Sequence, residues 1–291
     1  MNTDKLSGVP ETMLITLWAK AMEYNRHDAL LRDKKAVEIF QRIDYDFSKF
    51  KRAKLSQAGC CIRASLIDKE IRYFLSQYPD AVVIQLGAGI DARYERLRPR
   101  NITHWYDLDV QEAIELRKKV LSETKRNTFL ACSMFDYRWI DLVKSHRKPV
   151  LIVIEGVLMY FQPNRVKAFF AEICKQFEQA TILFDMLAPI AVGRAKQHDS
   201  LKTVNSKVEF LWSELDSRTM EKWNDNLHFE KEYFLSDHEQ DRFPWLMRIL
   251  YGVPYFYKRF NQRIVRLRVV NPKRQPKISS KSRPPQHISG N

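Results

Sequence analysis

Cysteine and glycine are scarce in this 291-residue chain, at four and eight residues, and each shortage excludes a class of protein. The four cysteines, two of them the adjacent pair Cys60-Cys61, are too few and too irregular for a disulfide framework or a Cys-x-x-Cys zinc site. A reducing compartment and no metal are expected. Eight glycines leave little for flexible interdomain linkers, and no internal repeat emerges. No apolar segment approaches the roughly 18 residues needed to span a bilayer, and the first ten residues are polar rather than signal-like. The expectation is a soluble, cytoplasmic protein with no membrane partner.

Acidic residues are also short, at 35 Asp and Glu against 49 Lys and Arg, which leaves a net charge of +14. Such an excess raises nucleic acid or an acidic substrate as partners. Much of it falls in residues 271–291, which lack aromatics and apolar periodicity and read as a disordered basic tail. Without stacking aromatics a solvated tail is favoured, and a nucleic-acid partner is unlikely in composition terms.

Two of the few glycines stand together. The apolar run Ala81-Val82-Val83-Ile84-Gln85-Leu86 breaks into Gly87-Ala88-Gly89-Ile90-Asp91, the pattern of a buried strand feeding a ligand-binding loop. About twenty residues on, Trp105-Tyr106-Asp107-Leu108-Asp109 ends a second apolar run with carboxylates, the acidic partner that a ribose-binding crevice needs. A nucleoside-containing cofactor is implied. The same glycines also fit the relaxed dinucleotide fingerprint, or a plain strand-to-helix turn.

Hydrophobic period organises the rest. Residues 11–26, 33–43 and 56–76 read as helices ahead of any strand. Strands follow near 81–86, 103–108, 127–131, 150–154 and 180–185, with segments between them long enough for helices. The continuous apolar runs Val82-Val83-Ile84 and Leu151-Ile152-Val153-Ile154 belong at the centre of a mostly parallel sheet. A helix starts near Pro163 with Val166, Phe169, Phe170, Ile173 and Phe177 on its apolar stripe. Residues 191–242 read as a charged helical cap, and 263–270 as an alternating edge strand. One domain is expected over 1–270: N-terminal helices at 1–78, a cofactor-binding core at 79–190, the cap at 191–242 and core strands at 243–270.

Six segments then occur in a telling order: Glu11-Thr12, Ala36-Val37-Glu38-Ile39, Arg42-Ile43-Asp44-Tyr45-Asp46-Phe47, Leu86-Gly87-Ala88-Gly89-Ile90-Asp91-Ala92-Arg93, Trp105-Tyr106-Asp107-Leu108-Asp109 and Glu155-Gly156-Val157-Leu158-Met159-Tyr160. Over about residues 11–270 the chain resembles the leucine carboxyl methyltransferase family, and within it the bacterial tetracenomycin-type polyketide O-methyltransferases. The resemblance implies an α/β fold of the class I methyltransferase kind: a Rossmann-like doubly wound sheet of seven strands, the last antiparallel, with N-terminal helices and a helical cap insertion. It implies S-adenosyl-L-methionine as cofactor and a small-molecule acceptor, polyketide-like or aromatic in class, methylated on a carboxylate or hydroxyl.

Carried onto this sequence, the family pattern makes Arg63 the partner of the methionine carboxylate, where a guanidinium offers a bidentate fork. Gly87 and Gly89 line the methionine end. Asp109 holds the ribose, with Asp107 as the local alternative. Ser133 and Met134 match the adenine-contacting pair, with Ser in place of the acid of the leucine-methylating members. Glu155, at a sheet's carboxyl edge, faces the cofactor's amino group or forms a salt bridge. Tyr160 brings its hydroxyl near the methyl as the catalytic candidate, or fills the core.

Methyl transfer from a sulfonium is an in-line displacement and needs alignment rather than a metal. A carboxylate acceptor requires no general base, whereas a phenol or alcohol does, and His198 and His228 are the cap's candidates. Phe210, Trp212, Trp223, Phe229 and Tyr233 could line an acceptor pocket or a helical core. Two rival readings stay open: a nicotinamide-dependent oxidoreductase, against which the missing Tyr-x-x-x-Lys pair after Tyr160 counts because residue 164 is Asn, and a non-catalytic nucleoside-binding protein. Oligomeric state is not legible from one chain.

Overall fold

Strands β1 (Val82–Leu86) and β4 (Val150–Ile154) are buried at every residue, so they require helical cover on both faces. The computed structural model, which describes residues 9–195, 201 and 208–272, provides it. β1 pairs in parallel with β4 and with β2 (His104–Asp109). β3 (Asn127–Ala131) and β5 (Gln179–Met186) extend the parallel sheet at its two sides. β7 (Arg263–Val270) runs antiparallel between β5 and β6 (Leu227–Phe234), which completes a seven-stranded order of β3-β2-β1-β4-β5-β7-β6. The strand order reverses between β1 and β4, the place where such sheets open a ligand crevice at their carboxyl ends.

Because side chains alternate across a strand, each apolar run feeds two cores. Val82, Ile84, Leu86, Ile152 and Ile154 pack with α6 (Arg138–Ser145) and α7 (Pro163–Gln176) through Trp139, Val143, Phe169, Phe170 and Ile173. Val83, Leu151 and Val153 pack on the other face against Ile62, Leu66, Ile67 and Ile71 of α3 (Lys54–Gln77). α1 (Val9–Tyr24) and α2 (Lys34–Arg42) form a third layer around Leu14, Trp18, Ile39 and Phe50. The Asp33 carboxylate caps α2 by accepting from the Ala36 N–H at 2.8 Å. Short α4 (Arg93–Leu97) and α5 (Gln111–Val120) follow β1 and β2. No helix among the described residues is long and apolar enough to cross a membrane.

The six strands and three leading helices read from hydrophobic period lie within two residues of these bounds. Three expectations are corrected. Residues 191–242 contain no α-helix among those described; they hold 3-10 turns, including Ser217–Trp223, and then β6. The charges that suggest a solvated helix face are cross-strand partners instead: Glu230 Oε2 lies 2.9 Å from Arg266 Nε, and Glu232 Oε2 lies 3.4 Å from Arg263 Nε. β6 carries no β-branched residue, and its central Glu230-Lys231-Glu232 hides the strand signal of Phe229, Tyr233 and Phe234. Consequently β6 is the edge strand and β7 an interior one, which explains why Arg263 is fully buried. Residues 243–262, expected as core strand, instead form helices α8 (Trp245–Tyr251) and α9 (Pro254–Phe260).

Asp107 is the second kind of correction, because it is not available to a ribose. It is fully buried in β2, accepting from Trp105 Nε1 at 2.9 Å, Arg117 Nη2 at 2.7 Å and Asn127 Nδ2 at 2.8 Å. Arg117, also fully buried, donates onward to the carbonyls of Gly89 and Asp91 at 3.1 and 2.9 Å. Asp107 and Asp109, two residues apart, share one face of β2; Asp107 lies within the strand among its three donors, while Asp109 is the strand's last residue and opens onto the cavity. Removing one member of such a pair strands the other without water, so Asp107→Ala is expected to lower unfolding stability by about 3–5 kcal/mol. Urea denaturation followed by circular dichroism checks this.

Candidate active site

The loop after β1 turns where glycine is required. Gly87 adopts φ +71°, and a Cβ there would meet Val157 Cγ2 at 2.2 Å; at Gly89, with φ +48°, it would lie 3.1 Å from Met13 Sδ. The missing side chains therefore admit protein neighbours from the β4 loop and α1 as well as leaving a main-chain wall. The Gly87 and Ala88 N–H groups both donate to the Leu108 carbonyl, at 2.8 and 3.1 Å, which ties the loop to β2.

Beyond this loop lies a cavity of about 500 Å³ at the carboxyl ends of β1, β2 and β4, large enough for a cofactor-sized ligand. Of the expected site residues, Arg63, Gly87, Gly89, Asp109, Glu155 and Tyr160 line it. Asp109 Oδ2 accepts from the Gly89 N–H at 2.7 Å and Oδ1 from the Val110 N–H at 2.8 Å. Burial raises its pKa, outweighing those two donors and Arg117. Each oxygen keeps a lone pair for a further donor.

Glu155 continues β4 into the cavity wall, and both its oxygens are occupied. Oε1 accepts from Arg63 Nε at 2.9 Å, and Oε2 from Arg93 Nη2. Although burial works against the charged form, Arg93 and Arg63 pull its pKa down to about 2. Arg63 also donates from Nη1 to Asp185 Oδ2 at 3.1 Å. Its Nη2, beside Gly156, makes no hydrogen bond among the described residues. Asp185, at the end of β5, accepts from the Gly156 N–H at 2.7 Å and from Gln262 Nε2 at 3.1 Å, and burial raises its pKa.

Arg93 connects this site to a wider network. It pairs with Asp68 Oδ1 at 2.8 Å and Asp91 Oδ2 at 3.2 Å, and Asp91 meets Lys20 Nζ at 2.7 Å. Arg96 reaches Asp33, Asp68 and Asp91. Four cations (Lys20, Arg63, Arg93, Arg96) thus face five carboxylates (Asp33, Asp68, Asp91, Glu155, Asp185). Sequence reasoning gave no role to Lys20, Asp68, Arg93, Arg96 or Asp185. Asp185 did carry a signal: it is the one acid in the apolar run Ile182-Leu183-Phe184-Asp185-Met186, at the same sheet edge as Glu155. Gln85 was missed too. It lines the cavity, donates to Asp91 at 3.3 Å, and leaves its buried Oε1 without a partner among the described residues.

Other expected residues lie elsewhere. Ser133 is exposed, its hydroxyl accepting from the Phe135 N–H, and Met134 is buried in the core beneath Trp139; neither lines the cavity. Tyr160 sits in the 3-10 turn Leu158–Tyr160, its ring 5.9 Å from Phe210 and its hydroxyl bonded to Thr12 of α1. Burial raises its pKa, so it stays a phenol. Of the five candidate pocket aromatics only Phe210 lines the cavity; Trp212 and Trp223 pack on Phe184 and Phe170, Phe229 lies under Arg218, and Tyr233 donates to Glu70. His228 sits on β6 away from the cavity lining, and His198 lies outside the described residues, as does the basic stretch 273–291.

Comparison with known proteins gives three findings. The profile of the leucine carboxyl methyltransferase family matches residues 13–174. The chain is 30% identical over 235 residues to the tetracenomycin polyketide synthesis O-methyltransferase TcmP of Streptomyces glaucescens, covering 81% of this chain and 86% of that one. It is 26% identical over 268 residues to the S-adenosyl-L-methionine-dependent methyltransferase dpfgK of Gibberella zeae, covering 85% and 90%. A crystal structure of a candidate methyltransferase from Thermobifida fusca YX superposes with a TM-score of 0.58 at 8% identity over 92% of this chain and 97% of that one, which shows the shared fold.

The ion pairs give a pH signature. Glu155 has a folded pKa below its ordinary value of 4.5, so its stabilisation is complete above that value and is lost as pH falls toward about 2. Glu155→Gln should therefore be less stable than the parent by roughly 3 kcal/mol near neutrality, converging with it in acid. Chemical denaturation at stepped pH measures the difference; a gap that persists unchanged at pH near the folded pKa contradicts the pairing.

Proposed function

Because the chain belongs to the leucine carboxyl methyltransferase family, we propose that it transfers a methyl group from S-adenosylmethionine to the carboxylate of an apolar, polyketide-like acid. That it is a methyltransferase dependent on S-adenosylmethionine follows from the family and from the named relatives, and the nicotinamide reading is set aside. When bound, the sulfonium supplies the activated methyl group.

The cavity's own groups suit that donor. Asp109 offers carboxylate oxygens to a ribose diol, and Arg63 Nη2 offers a donor to an amino-acid carboxylate. The orphaned Gln85 Oε1 supplies an acceptor for an ammonium group, whose binding would remove the cost of leaving that oxygen buried and unpaired. One carboxylate more than the cations around it makes the surroundings complementary to a positive sulfur.

The observation that carries the carboxylate assignment is the absence of a free base among the described lining residues. No histidine lines the cavity; Asp91 and Glu155 are ion-paired, Asp109 faces two backbone N–H groups, and Lys20 is bound to Asp91. Tyr160 is held protonated by burial and so is no base. An acceptor already ionised near neutrality needs no such base. The remaining wall, formed by Met13, Ile15, Leu55, Met159, Leu187 and Phe210, supports an apolar body and excludes water.

Two measurements test this. Titration calorimetry should find S-adenosylmethionine and S-adenosylhomocysteine binding but not NAD, with Asp109→Ala weakening the first two by at least about tenfold. With aromatic acids and phenols as acceptors and a radiolabelled methyl donor, the transferred label should be released by mild alkali as an ester would be. The rate should be flat from about pH 6 to 9. Alkali-stable label, or a rate rising through that range, would assign a hydroxyl acceptor instead.

A further inference from the structure

A second pocket, of about 520 Å³, opens at the other end of the sheet from the cofactor cavity. Its walls are the last turns of α3, the loop after α4 and the residues just before β1 and β2. It therefore lies at the amino ends of strands whose carboxyl ends form the cavity. Three exposed arginines, Arg72, Arg98 and Arg100, stand at its rim, and no Asp or Glu is among its described lining residues. The floor is aliphatic, with Leu97 and Ile102 buried and Leu75 half-buried.

These arginines differ from their neighbours. Arg93 and Arg96, on α4 itself, are taken up by carboxylates, whereas no ion pair reaches Arg72, Arg98 or Arg100 among the described residues. Arg72 makes one long hydrogen bond, from Nη1 to the Leu97 carbonyl at 3.5 Å, which sets its guanidinium beside the end of α4 and leaves its other nitrogens unengaged among the described residues. Arg126, likewise without an acidic partner among the described residues, donates to the Arg100 carbonyl at 2.5 Å and adds a fourth cation behind the same loop. Guanidinium groups gathered in this way repel one another unless an anion sits among them.

The backbone points the same way. Arg98 caps α4 in the left-handed region, at φ 47° and ψ 57°, where glycine is the usual occupant. An arginine there is conformationally disfavoured, and strain of this kind gathers at binding sites. We propose that this pocket binds a small organic phosphate with an aliphatic body, the guanidinium forks taking the phosphate oxygens and Leu75, Leu97 and Ile102 receiving the chain. A phosphate monoester carries a charge of about −1.5 to −2 near neutrality and answers three cations better than a carboxylate does. With no aromatic side chain among the described lining residues, a nucleobase finds nothing to stack on. The two pockets share no lining residue, so this assignment does not rest on the methyl-transfer reading.

The test is titration calorimetry of the full chain with hexyl phosphate, inorganic phosphate and hexanoate. Hexyl phosphate should bind at least about tenfold tighter than either of the others, since one lacks the apolar chain and the other the second charge. Arg98→Gly should weaken it about tenfold, and Arg72→Ala by a similar factor. Glycine relaxes the left-handed cap, so the melting temperature of Arg98→Gly should not fall, and lost binding there reports the missing guanidinium rather than unfolding. Absence of hexyl phosphate binding overturns the proposal, as does binding unchanged in both variants. Hexyl phosphate binding abolished by saturating S-adenosylhomocysteine would place it in the cofactor cavity and overturn the proposal too. Hexanoate binding as tightly as hexyl phosphate would overturn the phosphate assignment in favour of a carboxylate.

Discussion

A fully buried guanidinium has no water to satisfy it, and in this fold Arg93 imposes that constraint on everything around it. Desolvating such a cation costs several kcal/mol, which only well-placed carboxylates offset. Its partners come from three separate places: Asp68 on α3, Asp91 in the turn after β1, and Glu155 at the end of β4. The leading helices cannot shift on the sheet without stranding that charge. Arg96 extends the same logic to the cap of α2 through Asp33, and Lys20 to α1 through Asp91.

The cavity inherits its shape from this lattice. Arg63 and Glu155 hold one another at its wall, and Arg63 leaves one nitrogen toward Gly156 because Asp185 and Glu155 take the others. Gly87 and Gly89 seat Val157 and Met13, so the turn is closed by protein on one side and open on the other. Charge and apolar surface are thereby segregated: the ion pairs gather where β1, β4 and β5 end, and the methionine, leucine and phenylalanine side chains line the remainder. A polar, charged cofactor and an apolar acceptor suit those two halves.

The C-terminal part follows a different rule. β7 enters the sheet between β5 and β6 with its arginines paired to Glu230, Glu232 and Glu70, while α8 just before it packs on the core through half-buried Met247 and Tyr251.

Local pattern was enough for the central sheet, because continuous apolar runs such as Val82-Val83-Ile84 and Leu151-Ile152-Val153-Ile154 have only one stable environment, and a Gly-Ala-Gly turn has few backbone solutions. The pocket's glycines, Asp109 and Glu155 were legible because they lie at strand ends, whereas Arg63, in the middle of α3, and Tyr160, in a 3-10 turn, were pointed to by the family resemblance. β6 was hidden because Glu230 and Glu232 look solvated until Arg266 and Arg263 are seen opposite. Asp107 and Asp109 are two residues apart on one strand and looked interchangeable, yet Arg117, Asn127 and Trp105 claim the first, and the second ends at the cavity. The sequence by itself thus determined the alternation of strands and helices, the glycine turn and the charge asymmetry, because these depend on neighbours along the chain. Which charges pair, which carboxylate meets the cavity and which apolar side chains stay uncovered were decided only by tertiary structure, because each depends on partners tens of residues away.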